Sequence, residues 1–170
     1  IIPLVGADRT RELVEKAVLE HGMSTIKMKV ADGHDQLWTQ DLVRVQIARI
    51  TMQALGVVGK IRIDVNGGWE LEQAVERLIA FSDVAGGLDY VEQPCVELDD
   101  MRELKQRLPE MRIAVDESIR LGGAVDSTMF RQIADVAILK ALPLGGVHAA
   151  VKTARVLDMP VVVSGSLDTS

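Results

Sequence analysis

The chain alternates short β-branched runs with amphipathic stretches of helical period, and this alternation restricts its fold more than any other feature. In the second helical stretch, for example, hydrophobic residues recur at steps of three and four between Leu42 and Leu55. Strands that alternate with helices require a parallel sheet with helical crossovers. The pattern predicts about six helices and seven strands, the strands being Ile2–Val5, Thr25–Val30, Lys60–Val65, Leu88–Glu92, Arg112–Val115, Val136–Leu139 and Val161–Val163.

Two architectures meet this requirement, an open doubly wound sheet and a (β/α)₈ barrel. The dinucleotide-binding version of the open sheet carries G-x-G-x-x-G after its first strand, whereas here Val5 leads into Gly6-Ala7-Asp8. A complete barrel takes about 250 residues, and this chain has 170. We therefore predict an α/β fold in which residues 1–170 form an incomplete (β/α) barrel without its final strand.

The two ends and the composition narrow the class of protein. The chain starts at Ile1 rather than Met and stops at Ser170 just after an apolar run, so we expect an internal segment of a longer protein. A net charge of −6 and 3% aromatic residues argue against a nucleic-acid or anionic membrane surface. A single cysteine, Cys95, fits a reducing compartment, and we predict a cytoplasmic protein. Self-association is compatible with this sequence, because a helix face used between copies has the same pattern as one that packs on a sheet.

Polar residues stand at or beside the carboxyl ends of successive predicted strands, namely Lys29, Asp64, Glu92, Asp116, Lys140 and Ser164. In a barrel these strand ends converge on one mouth. One acid after a strand is usually a helix cap or a turn former. Three acids on neighbouring strands, about 5 Å apart, would repel one another without a cation. Oxygen ligands of this kind suit Mg²⁺, so we predict a metal site at Asp64, Glu92 and Asp116.

The lysines add a second element to this predicted mouth. Lys29 lies on the second predicted strand and Lys140 on the sixth, half of an eight-stranded barrel apart, so they would face each other. Lys27 precedes Lys29 by two residues and points the same way one layer deeper, where it could position Lys29 or a substrate carboxylate. A partly buried lysine can serve as a general base, although a structural ion pair is an equal alternative for Lys140.

Six short strings carry a resemblance to a known family: Lys27-Met-Lys29, Asp64-Val-Asn66, Val91-Glu92-Gln93-Pro94, Val115-Asp116-Glu117-Ser118, Leu139-Lys140 and Ser164-Gly165-Ser166. In this order and at barrel spacing, they resemble the enolase superfamily in its muconate-lactonizing-enzyme branch. The longer strings Asp64–Trp69, Val91–Cys95, Ala141–Gly146 and Val161–Asp168 are most similar to the actinobacterial o-succinylbenzoate synthases of that branch.

The resemblance implies a (β/α)₇β barrel whose separate capping domain and final strand are absent from this chain. It also implies Mg²⁺, with Mn²⁺ as a substitute, on the three carboxylates, and a small-molecule carboxylate substrate. The reaction implied is syn dehydration of 2-succinyl-6-hydroxy-2,4-cyclohexadiene-1-carboxylate to o-succinylbenzoate and water, in menaquinone biosynthesis. Lys29 would be the base, with Lys140 opposite and Lys27 in support. The substrate-binding residues implied are Asn66, Gly145, Gly146, Ser164, Gly165 and Ser166.

Other functions remain compatible with the same residues. N-succinylamino acid racemases, dipeptide epimerases and muconate cycloisomerases of this branch share the ligands and the lysines. A racemase needs both Lys29 and Lys140 as acid–base groups, whereas a syn elimination needs one base. A partial barrel without catalytic activity is an alternative of a different class, and without a capping domain we expect little activity from residues 1–170 by themselves.

Overall fold

The computed structural model describes residues 1–31, 38–121 and 126–165, and these contain one six-stranded parallel sheet with helices on its outer face. The strands are β1 (Thr25–Lys29), β2 (Lys60–Asp64), β3 (Tyr90–Glu92), β4 (Ile113–Val115), β5 (Val136–Lys140) and β6 (Val161–Ser164). They lie in the sheet in the order in which they occur in the chain. The predicted partial (β/α) barrel is confirmed.

Seven helices connect or precede these strands in the described residues. They are α1 (Ala7–Leu19), α2 (Trp38–Ala54), α3 (Leu71–Ala85), α4 (Leu98–Arg107), α5 (Glu117–Leu121), α6 (Ser127–Ile133) and α7 (Val147–Leu157). Two short helices, α5 and α6, therefore stand where the sequence predicts a single crossover helix. Among these seven helices, none is long and apolar enough to cross a membrane.

The predicted first strand, Ile2–Val5, differs from the structure. Ile2 alone pairs with the sheet, as an isolated parallel bridge to Met28. The Ile2 N–H donates to the Lys27 carbonyl at 2.7 Å, and its own carbonyl accepts from the Lys29 N–H at 2.9 Å. The next donor on this side of the chain would be the Leu4 N–H, but the Lys29 carbonyl that it would reach accepts instead from Arg44 Nη1 at 3.0 Å. The ladder therefore stops at Ile2, and the chain enters α1 at Ala7.

Residue alternation along the strands decides which side chains face the helices and which face the concave side. In β1, Ile26 and Met28 are buried, at 4% and 0% exposure, in the main core under the helices. Lys27 and Lys29 alternate with them and therefore face the concave side. A second apolar cluster of Tyr90, Ala114, Val136 and Ile138 lies apart from the main core.

Helix α3, which follows the strand that carries Asp64, is fixed at both ends by local hydrogen bonds. At its start Glu70 and Gln73 form a reciprocal capping box, in which each side chain accepts from the other residue's backbone N–H. At its end Gly86 takes the left-handed conformation with φ 64°, which a glycine adopts without strain. The first cap therefore sets where the loop between β2 and α3 ends, and the second sets where the loop between α3 and β3 begins.

Candidate active site

The carboxyl edge of the sheet holds the predicted charged residues side by side. Lys29, Asp64 and Glu92 are register partners on β1, β2 and β3, and each is the last residue of its strand. On the other side of β4, Lys140 at the end of β5 is the register partner of Ser164 at the end of β6. Parallel pairing therefore brings side chains that are far apart in sequence to one edge.

Lys27 joins two of the predicted metal ligands. Its Nζ donates to Glu92 Oε2 at 2.8 Å and lies 3.3 Å from Asp64 Oδ2. Burial by itself would lower the pKa of Lys27, but the two carboxylates outweigh it and the pKa is raised. Lys27 is therefore held in the ammonium form as a bridge between β2 and β3.

Glu92 has a strongly altered proton affinity. Its pKa is raised to about 7, first because burial disfavours the carboxylate and second because Asp64 is close, while Lys27 partly opposes the shift. The Glu92 side chain is fully buried, with 0% exposure. In this position the ionised form of Glu92 is destabilised, and a further positive charge placed beside it would stabilise that form.

Asp116 follows β4 and is held by two cations. Its Oδ2 accepts a hydrogen bond from Lys140 Nζ, and its Oδ1 accepts one from Arg120 Nε at 3.3 Å. The guanidinium of Arg120 also donates to Glu117 Oε1 at 3.3 Å. The sequence prediction did not include Arg120. Its position four residues after Asp116, one helical turn along, is a signal that could have identified it.

The oxygens that could hold a cation are those left without a hydrogen bond. Asp64 Oδ1 and Glu92 Oε1 are buried and accept none, although Lys29 Nζ lies 3.9 Å from Asp64 Oδ1. Buried carboxylate oxygens without donors fit a hard divalent cation. Across the described parts of the chain, no three acidic, histidine or cysteine side chains come together as a ready-made metal site, since lysines lie between the acids.

Asn66 lies in the loop after β2 and faces the same cleft. Its backbone is left-handed, with φ 50°, and its Nδ2 donates to Glu117 Oε1 at 2.8 Å. The next residue, Gly67, has φ 73° and donates its N–H to the Gln93 carbonyl at 2.7 Å. A Cβ at Gly67 would lie 2.7 Å from a methyl group of Val96, so only glycine fits this turn.

The remaining predicted substrate residues fall into three groups. Ser164 and Gly165 line the cleft. The N–H groups of Gly145 and Gly146 donate within their own turn, to Leu142 and Ala141, at 3.0 and 2.7 Å. Ser166 lies outside the described residues.

An open cleft of about 680 Å³ lies on the concave side of the sheet, and the predicted site residues that line it include Asp64, Asn66, Glu92, Ser164 and Gly165. Lys27, Lys29 and Lys140 all line it. Arg62 and Tyr90 also line it, and the sequence analysis did not identify them. Each stands two residues before a predicted metal ligand on its strand and shares that ligand's direction, so strand alternation was the signal available.

Comparison with known families gives one match that spans most of the chain. The family described as "Enolase C-terminal domain-like" matches residues 9–162. Curated relatives include the o-succinylbenzoate synthases of Thermobifida fusca, Mycolicibacterium smegmatis and Mycobacterium ulcerans, at 40%, 36% and 39% identity over 99% of this chain. The chain spans about half the length of these relatives, at 50%, 49% and 48%. The resemblance read from the sequence strings is confirmed.

Solved structures agree on the fold. The muconate lactonizing enzyme of Pseudomonas putida superposes with a TM-score of 0.78 at 24% identity, over 98% of this chain and 46% of that one. The L-Ala-D/L-Glu epimerase of Bacillus subtilis gives a TM-score of 0.77 at 24% identity, over 98% and 45%. At this level of identity the two structures share a fold with the chain, while the names of these two enzymes refer to different reactions.

Proposed function

This chain belongs to the enolase C-terminal domain-like family, and on that basis we propose that it forms the barrel part of an o-succinylbenzoate synthase. Its curated relatives of that name are 36–40% identical over nearly all of its length. The proposed reaction is the syn dehydration of 2-succinyl-6-hydroxy-2,4-cyclohexadiene-1-carboxylate to o-succinylbenzoate and water. The enzyme would be a lyase of menaquinone biosynthesis that works in the cytoplasm.

One observation carries the proposal: lysines from β1 and β5 line the same cleft as Asp64 and Glu92, the carboxylates at the ends of β2 and β3. Lys29 accepts the proton from the carbon next to the substrate carboxylate. Lys29, now an ammonium, then donates this proton to the departing hydroxyl on the same face of the substrate, and the hydroxyl leaves as water. Lys140, on the far side of the cleft, stabilises the negative charge that develops in the substrate, in agreement with its cationic contact to Asp116.

Asp64, Glu92 and Asp116 are the proposed ligands of Mg²⁺, for which Mn²⁺ could substitute. The oxygens without donors on Asp64 and Glu92 support this assignment. When bound, the cation would supply positive charge against the substrate carboxylate, which acidifies the neighbouring C–H. Lys27 holds the second oxygens of Asp64 and Glu92 and so orients these two side chains.

The substrate contacts are proposed from position in the cleft. Asn66, Ser164 and Gly165 line the cleft and offer an amide, a hydroxyl and a backbone N–H. Gly145 and Gly146, in the segment between β5 and α7, complete the proposed set together with Ser166, which is proposed from the sequence alone. A carboxylate substrate is favoured by the cationic side chains on this surface.

The test is a dehydration assay with the cyclohexadiene-carboxylate substrate, run on the full-length protein that contains this chain, with and without Mg²⁺. Lys29→Ala should lower turnover by about 1,000-fold or more, because it removes the acid–base group. Lys60→Ala is the matched control, since Lys60 is a 64% exposed lysine at the other end of β2, and turnover should stay within about twofold of the unmodified protein.

Three results would contradict the proposal in different ways. Absent dehydration with exchange of the α-proton on N-succinylamino acids or dipeptides would instead indicate a racemase or epimerase of the same family. Absence of both reactions would indicate a barrel without catalytic activity. Unchanged turnover in Lys29→Ala would remove this lysine from the mechanism.

A further inference from the structure

Asp116 differs from the other two proposed metal ligands in that both of its oxygens are taken. Lys140 donates to Oδ2 and Arg120 to Oδ1, the latter at 3.3 Å. Asp64 and Glu92, in contrast, each keep one buried oxygen without a hydrogen bond. A cation could therefore reach Asp64 and Glu92 directly, whereas at Asp116 it would meet the positive charge of an ammonium on one oxygen and of a guanidinium on the other.

The two contacts on Asp116 have different origins. Arg120 lies one helical turn after Asp116 and is also held by Glu117, so its position is fixed within its own short segment. Lys140 reaches across from β5, 24 residues later in the chain. Its side chain is 17% exposed and lines the cleft, so its ammonium can turn from the carboxylate toward a bound molecule.

Charge balance requires that some cation stays close to Asp116. The side chain is fully buried, with 0% exposure, and an unpaired carboxylate in that environment would be strongly destabilising. Lys140 meets this requirement in the structure together with Arg120. A divalent cation on the same oxygen would meet it equally well, and Lys140 would then be released without leaving a bare charge behind.

We propose that Lys140 acts as an exchangeable counter-ion of Asp116, which a divalent cation displaces from Oδ2 and thereby frees to face the substrate. This inference rests on the proposed function, since it takes Asp116 as a metal ligand. It adds a coupling: occupation of the metal site and availability of the lysine on the far side of the cleft become one event. No covalent bond forms or breaks in the exchange.

The test is the dissociation constant of Mg²⁺, measured by titration calorimetry on the full-length protein without substrate. Lys140→Gln should bind Mg²⁺ about tenfold more tightly than the unmodified protein, equivalent to about 1.4 kcal/mol, because the ammonium no longer has to be displaced. Lys140→Arg keeps both charge and contact and should stay within about twofold. Thermal unfolding should show a larger stabilisation by Mg²⁺ in Lys140→Gln than in the unmodified protein.

Lys29→Gln is the matched control inside the cleft. It removes the same charge, but its Nζ lies 3.9 Å from Asp64 Oδ1 and makes no hydrogen bond to it, so we expect a change below about threefold. Equal tightening in both variants would mean that only net charge matters and would overturn the exchange. Tightening in Arg120→Gln but not in Lys140→Gln would overturn the assignment to Lys140.

The proposed function and the exchange fail in distinguishable ways. If the unmodified protein and all of the variants fail to bind Mg²⁺, the metal site itself is wrong and both proposals fall. If Mg²⁺ binds the unmodified protein and Lys140→Gln with equal affinity, or binds the variant more weakly, the exchange alone is refuted and the site stands.

Discussion

Two acidic residues at opposite ends of β3 experience opposite environments. Asp89, just before the strand, has a side chain 6% exposed, and Glu92, at its end, has one 0% exposed. Burial by itself would raise the pKa of both groups. At Asp89 hydrogen bonds from Arg62 and Lys60 outweigh burial and lower the pKa, whereas at Glu92 burial and Asp64 together raise it to about 7.

The difference lies in what surrounds each carboxylate. Asp89 lies within 2.8 Å of Arg62, 3.0 Å of Lys60 and 3.5 Å of Arg112, with three cations around one acid. Glu92 has a single ammonium within reach, that of Lys27, and shares it with Asp64. The amino edge of the sheet is therefore arranged for stability, while the carboxyl edge holds like charges together, which is where (β/α) barrels place their chemistry.

The sharpest way to test this comparison is Asp116→Asn at the carboxyl edge. Turnover of the full-length protein should fall about 1,000-fold or more, because a ligand charge is lost while an amide of the same shape remains. The free energy of unfolding should fall by no more than about 1 kcal/mol, since Asn can still accept from Lys140, although its amide N–H₂ then faces Arg120. Steady-state kinetics and urea unfolding measure the two effects, and a large loss of stability would count against a ligand role.

Asp89→Asn is the corresponding change at the amino edge, and it should have the opposite profile. We expect a loss of about 1–2 kcal/mol in the free energy of unfolding, since three cations lose their shared carboxylate and two of them are substantially exposed. Turnover should stay within about twofold. If turnover fell as far as in Asp116→Asn, the division of the sheet into a stabilising and a functional edge would be wrong.

Glu92→Gln should change the free energy of unfolding by less than Asp89→Asn does, and the size of this change should depend on pH. A carboxyl whose pKa rises from 4.5 to about 7 on folding binds its proton more tightly in the folded state, so the stability of the unmodified protein falls as pH rises through that window. The variant escapes this loss. Without divalent cations it should be more stable than the unmodified protein by about 1 kcal/mol at pH 8, and the difference should disappear near pH 4.5.

Urea unfolding in a chelator at both pH values measures this difference. Glu110→Gln is the control, because it is the same substitution at an exposed position in the turn after α4. It should change the free energy of unfolding by less than about 0.5 kcal/mol. The measured quantity is the difference in the free energy of unfolding between Glu92→Gln and the unmodified protein. If this difference favours the variant less at pH 8 than at pH 4.5, the high proton affinity of Glu92 is contradicted.

The sequence predicted the carboxyl ends of these strands to within one residue, because the signal there is local. The predicted runs end at Val30, Val65 and Glu92, and the observed strands end at Lys29, Asp64 and Glu92. The predicted strand at Ile2–Val5 shortens to one bridge because Arg44, from α2, donates to the Lys29 carbonyl that the next ladder bond would use, and local composition does not reveal such a contact. The single helix predicted before β5 is instead two short ones, α5 and α6.

The pairing within the site could not be predicted in the same way. Nothing in the spacing assigns Lys27 to Glu92 or Lys140 to Asp116, because these contacts depend on strand register and on side-chain conformation. Arg120 and Arg62 were missed for a related reason: each lies beside a ligand by one helical turn or one strand repeat, and periodicity alone does not separate them from ordinary surface arginines.

The strictly sequential order of the strands has a consequence for how the protein is made. Each new strand can dock on the one synthesised just before it, so the sheet can grow from its first strand while the ribosome is still extending the chain. The charges are completed on a different schedule. Lys27 meets Asp64 on the next strand but Glu92 only 65 residues later, and Asp116 meets Arg120 after 4 residues but Lys140 only after 24. The full set of charge contacts at the carboxyl edge is therefore completed only late in the synthesis of the sheet.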